Sequence, residues 1–380
     1  MKLRWVIITT FLSVSILLNA GVSFAVSTTD IDQVRAKGLL EDTDLQVIDD
    51  FVAEAVQELV NATDFTSIAK TRTIIVARKN SENADQGQYR VQFLQSSYRH
   101  ISEALRQAWA ITDEQRKVKV LVNLLILTDR IEELRLADLS IGALDNHNPL
   151  VCYWAVHSLT NPAIRRQLNS SQVDNPDLAK RIIEKFGNLV AKASPEITGL
   201  MVDFVAGLET RQADELLIKI ADKRISEYAN WTVKYELLEI SILKSLYEKI
   251  SSQKGQTAAF TRRFAQLYSY VLQRYIKGQQ NLSEKQKGYL ASVLVEIENC
   301  CIWRLLGMPQ TTIKKAVEQD DFEGLWREHN RILGEENKAG ALAVKFAFDY
   351  GQDSDGGAMA GPIPLSEPLE NVSAKSETAK

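Results

Sequence analysis

Cysteine offers the chain its most reactive side chains, and there are three: Cys152, Cys300 and Cys301. Cys300 and Cys301 are adjacent. Neighbours on an α-helix point about 100° apart, so bridging them needs the helix to break. Cys152 lies several helices away in sequence. With helix layers roughly 8–10 Å apart, that separation exceeds the roughly 7 Å Cα limit for a disulfide. The expected state is buried thiols acting as small apolar side chains. No Cys-x-x-Cys occurs, which excludes thioredoxin-like chemistry.

The four histidines, His100, His147, His157 and His329, form neither a His-Glu-x-x-His motif nor any i,i+4 pair. Asp145 with His147 reads as a capped turn, so no metal ligand is expected. Asp353-Ser354-Asp355-Gly356 looks like part of a calcium loop but lacks the acid at the first position and the glutamate at the twelfth. Ser67-Ile68-Ala69-Lys70 and Ser251-Ser252-Gln253-Lys254 match Ser-x-x-Lys, and Tyr228-Ala229-Asn230 mimics the second motif of the acyl-transfer enzymes that use it. The third motif, Lys-Ser/Thr-Gly, is absent. Gly-x-Ser-x-Gly and the glycine-rich phosphate loops are missing too. The sequence therefore assigns no catalytic, cofactor-binding or metal residues, expects no cofactor, and leans against an enzyme.

These residues sit on helices. Of 380 residues only 18 are Gly and 8 are Pro, while 45% are hydrophobic and 25% charged. That balance fits a folded, mostly helical protein and argues against a sandwich or barrel. The formal charge of −4 gives no basic excess of the kind nucleic-acid binding requires.

The first 25 residues read as an export signal: Lys2 and Arg4, an apolar stretch from Trp5 to Leu18, then Ser23-Phe24-Ala25 with small residues at the −3 and −1 positions of a cut. The expected mature chain starts at Val26, in a periplasmic or secreted location. Contact with a membrane is expected only through this segment, were it to stay uncleaved. Most of the mature chain's net negative charge lies from Asp349 onward, where a tail without periodicity is expected to be disordered from residue 351 to 380.

Between these ends, Asp44 is expected to cap a helix with Leu45, Ile48, Val52, Val56 and Leu59 at helical steps. The stretch 64–80 reads as helix despite its β-branched Thr73-Ile74-Ile75-Val76. Tyr89 to Ala110 is a long helix whose expected buried face is Val91, Leu94, Tyr98, Ile101, Leu105 and Ala108. Thr257 to Ile276 places Phe260, Phe264, Leu267, Val271 and Tyr275 on a core stripe, with Arg262, Arg263 and Arg274 on a charged outer face. Ser283 starts a helix expected to run to Leu306. A last segment, 321–350, is expected to break at Gly324, Gly334 or Gly340.

From 112 to 246 the pattern suggests helix pairs. In residues 134–159, an apolar first helix leads to the turn Asp145-Asn146-His147-Asn148. Pro149 then opens a second helix with Val151, Ala155 and Leu159 on one side. This arrangement resembles a HEAT repeat. The positions Val118, Ile197 and Val233 offer looser copies at irregular steps, and Cys152 stands where the family carries a basic residue. The resemblance implies an all-α fold of irregular stacked antiparallel helix pairs, a HEAT-like α-solenoid with a disordered C-terminal tail. The divisions are 1–25 signal, 26–111 N-terminal helices, 112–350 repeat region and 351–380 tail. On activity the resemblance is nearly silent, and the first reading is an exported non-catalytic scaffold that binds a protein partner along an extended groove. Tyr153 and His157 lie opposite the Val151/Ala155/Leu159 side and are the partner-binding candidates. A helical hydrolase of envelope glycans with a carboxylate site, or a structural envelope component, are the alternative readings.

Overall fold

The structure, a computed structural model, describes residues 26–170, 176–252, 257–352 and 356–368. The expected signal segment and the last twelve residues lie outside the described residues. The fold is all-α, with one two-residue hairpin as the sheet among the described residues. It divides into two compact units after Ser158, whereas the sequence pattern placed a boundary after residue 111.

The first unit contains α1 (Thr29–Ala36), α2 (Asp42–Asn61), α3 (Phe65–Ala77), α4 (Gly87–Trp109), α5 (Glu114–Ile131), a 3-10 turn (Leu134–Leu136), α6 (Ala137–Ile141) and the start of α7 (Pro149–Leu159). The α2 start differs from expectation. Glu41 is the cap and Asp44 is the third helical residue, reaching back to Glu41 N at 3.0 Å and taking Lys37 Nζ at 2.6 Å. The bond from the Glu41 amide, then that from Lys37, holds the Asp44 carboxyl below its usual range. Thr73-Ile74-Ile75-Val76 is helical as expected, because burial of Ile75 outweighs the weak helix propensity of β-branched residues.

The α4 face keeps Leu94, Ile101, Leu105 and Ala108 buried as expected but is rotated in part. Val91 and Tyr98 are exposed, and Tyr89, Phe93, Ser97, Ile101 and Ala104 turn inward. The small serines let α4 approach α2 closely, and Ser96 Oγ donates to Asp49 Oδ1 at 2.6 Å. In residues 134–159, Asp145–Asn148 forms the turn, Pro149 opens α7, and Val151, Ala155 and Leu159 are fully buried. Its first helix is short: the 3-10 turn plus five residues.

The second unit contains α8 (Pro162–Ser170), α9 (Pro176–Leu189), α10 (Pro195–Ala206), α11 (Arg211–Ala229), α12 (Leu238–Ser251), α13 (Thr257–Lys277) and α14 (Glu284–Ile297). A π-helical turn (Glu298–Ile302), α15 (Trp303–Leu306), α16 (Thr312–Glu318), α17 (Phe322–Ile332), β1 (Gly334–Glu335), β2 (Lys338–Ala339) and α18 (Ala341–Phe346) follow. The long terminal segment breaks at Gly334 and Gly340 as expected. Gly334 takes φ +104°, and a Cβ on Gly340 would meet Gly334 N at 2.3 Å.

Helix α13 is the centre of this unit, packed by α11, α12, α14, α17 and α18. It is buried almost all round, Arg274 included, so the expected charged outer face is corrected. Arg274 is 3% exposed. Arg262 and Arg263 do lie on its exposed side, paired with Asp349 and Asp222.

The expected single helix from Ser283 to Leu306 is interrupted. Ser283 and Gln286 form the capping box that starts it, but at 298–302 the turn widens and Trp303 N bonds back to Glu298 O. The extra residue lets buried Glu298 leave its own helix. Its oxygens accept Ile313 N at 2.8 Å and Lys314 N at 2.7 Å, satisfying the start of α16.

Residues 356–368 correct the expectation of a disordered tail from residue 351. They form an extended strap on the second unit. The chain turns back at a bridge between Gln352 and Ala358, and Tyr350 N bonds Met359 O at 3.0 Å. It then crosses β1 so closely that a Cβ on Gly361 would meet Glu335 O at 2.4 Å. The segment looked disordered because alternating prolines carry neither helical nor strand periodicity.

Candidate functional site

The strap runs along α13 as Pro362-Ile363-Pro364-Leu365-Ser366-Glu367, and α13 reads its backbone. Gln266 makes a closed pair with Ile363: its Oε1 accepts Ile363 N at 2.9 Å and its Nε2 donates to Ile363 O at 3.1 Å. One helical repeat on, Gln273 Oε1 accepts Leu365 N at 2.7 Å. One turn further, Lys277 Nζ donates to Leu365 O at 2.7 Å and to Glu367 Oε1 at 2.8 Å. Residues seven and four apart share a helix face, so these three side chains form one polar row. Pro362 and Pro364 have no N–H. The amides left between them, on Ile363 and Leu365, are the two that the glutamines accept. The Leu365 side chain is 1% exposed and Pro362 is buried, while Ile363 stands outward at 43%.

The far end of the strap is held by the α11–α12 connection. Trp231 Nε1 donates to Ser366 O at 3.0 Å, and Ser366 Oγ to Ala229 O at 3.4 Å. Trp231 and Tyr235 both take positive φ, 57° and 64°. Each such residue costs on the order of 1 kcal/mol or more, so the loop needs an anchor.

That anchor is a buried ionic network. Arg224 donates to Glu239 Oε1 (Nε at 2.8 Å), Glu227 Oε2 (Nη1 at 2.5 Å) and Lys234 O (Nη2 at 3.1 Å). Arg274 of α13 lies 5.0 Å from the Trp231 ring centroid and 5.8 Å from that of Tyr228. Its Nη2 is 3.5 Å from Glu236 Oε1, which also accepts from Gln286. Burial pushes Glu239 up to about 7 against the pull of Arg224, and burial lowers Arg274. Glu239 Oε2, Tyr228 Oη and Arg274 Nε and Nη1 have no hydrogen-bond partner among the described residues.

Behind the glutamine row lies a relay. Leu365 N–H donates to Gln273 Oε1, and Gln273 Nε2 donates to Ser269 Oγ at 2.8 Å. Ser269 Oγ stands 2.8 Å from His329 Nε2, and His329 Nδ1 is 2.8 Å from Asn330 Oδ1. Asn330 Oδ1 can only accept, so Nδ1 carries the imidazole hydrogen, and Nε2 of the neutral ring accepts the Ser269 proton. Burial pushes His329 down to about 4. The imidazole is therefore neutral at pH 7, as the relay requires.

The first unit has a cleft of about 750 Å³ lined by Val26, Ser27, Ala53, Glu54, Gln57, Glu58 and His100. Val26 N donates to Glu58 Oε2 at 3.2 Å, and His100 Nε2 is 3.1 Å from Asp49 Oδ1. Burial raises Asp49, but the bonds from Ser96 and His100 outweigh it and hold the carboxyl low. The cleft acids Glu54 and Glu58 stand one turn apart on α2. Nothing in this geometry pairs an acid with a base across a reacting position.

Tyr153 and His157 are half-buried on α7, in a cluster with Trp154. His157 Nδ1 lies 3.2 Å from buried Asp129 Oδ1, an arrangement that orients the ring within its own unit. Among the described residues, no group of three or more His, Cys, Asp or Glu could hold a metal ion. No helix among them is long and apolar enough to cross a membrane. Sequence reasoning missed the strap and its row. The signal was present as three polar residues at steps of seven and four along one face of the helix, with a proline-spaced segment downstream.

No protein-family model matches the chain, and no curated protein matches it. Among solved structures, an engineered protein aligns over 84% of this chain and 93% of its own, at 10% identity and a TM-score of 0.20. A likeness that low carries no argument about fold.

Proposed function

We propose that this is an exported, non-catalytic scaffold of HEAT-like helix pairs whose second unit binds an extended, proline-spaced segment of a protein partner. The strap's own seating carries this reading. Gln266, Gln273 and Lys277 bond main-chain atoms, which any extended peptide presents, while one buried apolar side chain and one acid set the preference. Proline-spaced segments suit such a groove because they arrive already extended and lose little entropy on docking. The resident strap is then the occupant that a partner replaces.

A labelled peptide of residues 358–368 tests the groove. It should bind a chain ending at Asp355 and bind the full chain much more weakly. Gln266→Ala with Gln273→Ala should cut affinity for the shortened chain by about a hundredfold, as expected when three hydrogen bonds of roughly 1 kcal/mol each are lost. A shortened chain that keeps its helical circular dichroism yet ignores the peptide sinks the reading.

A further inference from the structure

On a regular helix Cys300 and Cys301 would diverge, but they lie in the π-helical turn, where successive residues are only about 80° apart. Their sulfurs are 3.0 Å from each other. Cys300 is half-exposed and Cys301 is 1% exposed, so one sulfur can meet a reagent and the other is reached only through it. Lys244 of α12, bonded to Glu296 Oε1 at 2.6 Å, is the cation facing the pair, with Arg304 on its C-terminal side. The hydrogen bond from Cys301 lowers the Cys300 thiol, and the same bond with burial raises Cys301. The pair is thus divided into an attacking sulfur and a proton-bearing one.

We propose that Cys300 and Cys301 form a vicinal dithiol that closes reversibly to an intramolecular disulfide on reaction with a low-molecular-weight disulfide. The Cys300 thiolate attacks one sulfur of the reagent, forming a mixed disulfide and expelling the first thiolate. Cys301 then loses its proton and attacks Cys300 Sγ, expelling the second. The protein gives up two electrons and two protons, and the reagent's sulfur–sulfur bond is reduced to two thiols. Adjacent Cα atoms are about 3.8 Å apart, below the 4.4–6.8 Å usual for disulfides, so the closed form is strained and readily reduced. It is a switch and not a staple. That strain falls on the π turn, and because Glu298 belongs to the same turn, closure acts on the start of α16.

The test uses the full chain equilibrated in glutathione buffers, quenched with a thiol-alkylating reagent and digested with trypsin. Residues 288–304, released as one peptide, contain both cysteines and no other. As the buffer becomes more oxidising, this peptide should pass from doubly alkylated to unlabelled and two hydrogens lighter. The closed-to-open ratio should rise tenfold for about every 30 mV, the signature of a two-electron couple. In Cys301→Ser, Cys300 should instead accumulate glutathione. If the wild-type peptide stays doubly alkylated across the range, or ends carrying glutathione on Cys300, the proposal is wrong, whatever the variant does.

Discussion

His329 and Arg274 are both buried on or against α13, and each leaves a measurable mark. Burial holds the folded His329 near 4, while the unfolded imidazole titrates at its ordinary 6.5. As pH falls, the unfolded chain takes up this proton first, so the stability His329 protects is complete above about 6.5 and declines down to about 4. Between pH 7 and pH 5 this one group should remove about 2 kcal/mol. Urea unfolding at the two pH values should show His329→Gln losing less stability than the wild type by about that amount. For Arg274, replacement by Met leaves Glu236 buried beside only a neutral partner, which should cost about 3 kcal/mol. Adding Glu236→Gln should restore most of it. A double variant as unstable as the sum of the single changes would show that stacking on Trp231, not charge, is what Arg274 contributes.

The strap and the π turn are elements without regular periodicity, held by side chains from elsewhere. Gly361 is the tightest point of the strap: a Cβ there would press on Glu335 backbone atoms, which cannot swing aside as a long side chain would. Gly361→Ala should therefore lift residues 361–367 off α13. Amide exchange at Ile363 and Leu365 should accelerate by tenfold or more while far-ultraviolet circular dichroism stays unchanged. Persistent protection would mean that the glutamine row alone seats the strap. The regular helices were legible because caps and apolar steps mark them, as at Ser283 and along Phe260, Phe264 and Val271. The π turn was not, since its cause is Glu298 reaching Ile313 and Lys314, and those contacts exist only once the chain has folded. The partly rotated face of α4 has a similar origin: Ser96, polar along the sequence, is buried with its hydroxyl on Asp49.

At the scale of the whole chain, composition was enough for the all-α fold, while the site was hidden by the distance between its parts. Trp231, Gln273 and Leu365 meet from regions separated in sequence, and no local pattern announces that meeting. Removing residues 357–380 exposes the surface covered by Leu365 and Pro362. Burial of side chains this size contributes about 2–3 kcal/mol together. The shortened protein should lose about that much in urea unfolding while keeping its helical signal. A loss near zero would mean that the strap is only loosely seated.

The relay from Leu365 through Gln273 and Ser269 to His329 also has a polarity. Each member hands its hydrogen inward, and the tautomer at the inner end fixes which amide face Gln273 can offer outside. Such a thread admits visitors in one sense only. A peptide with the same composition written backwards would set a carbonyl oxygen against Gln273 Oε1 and find the door shut.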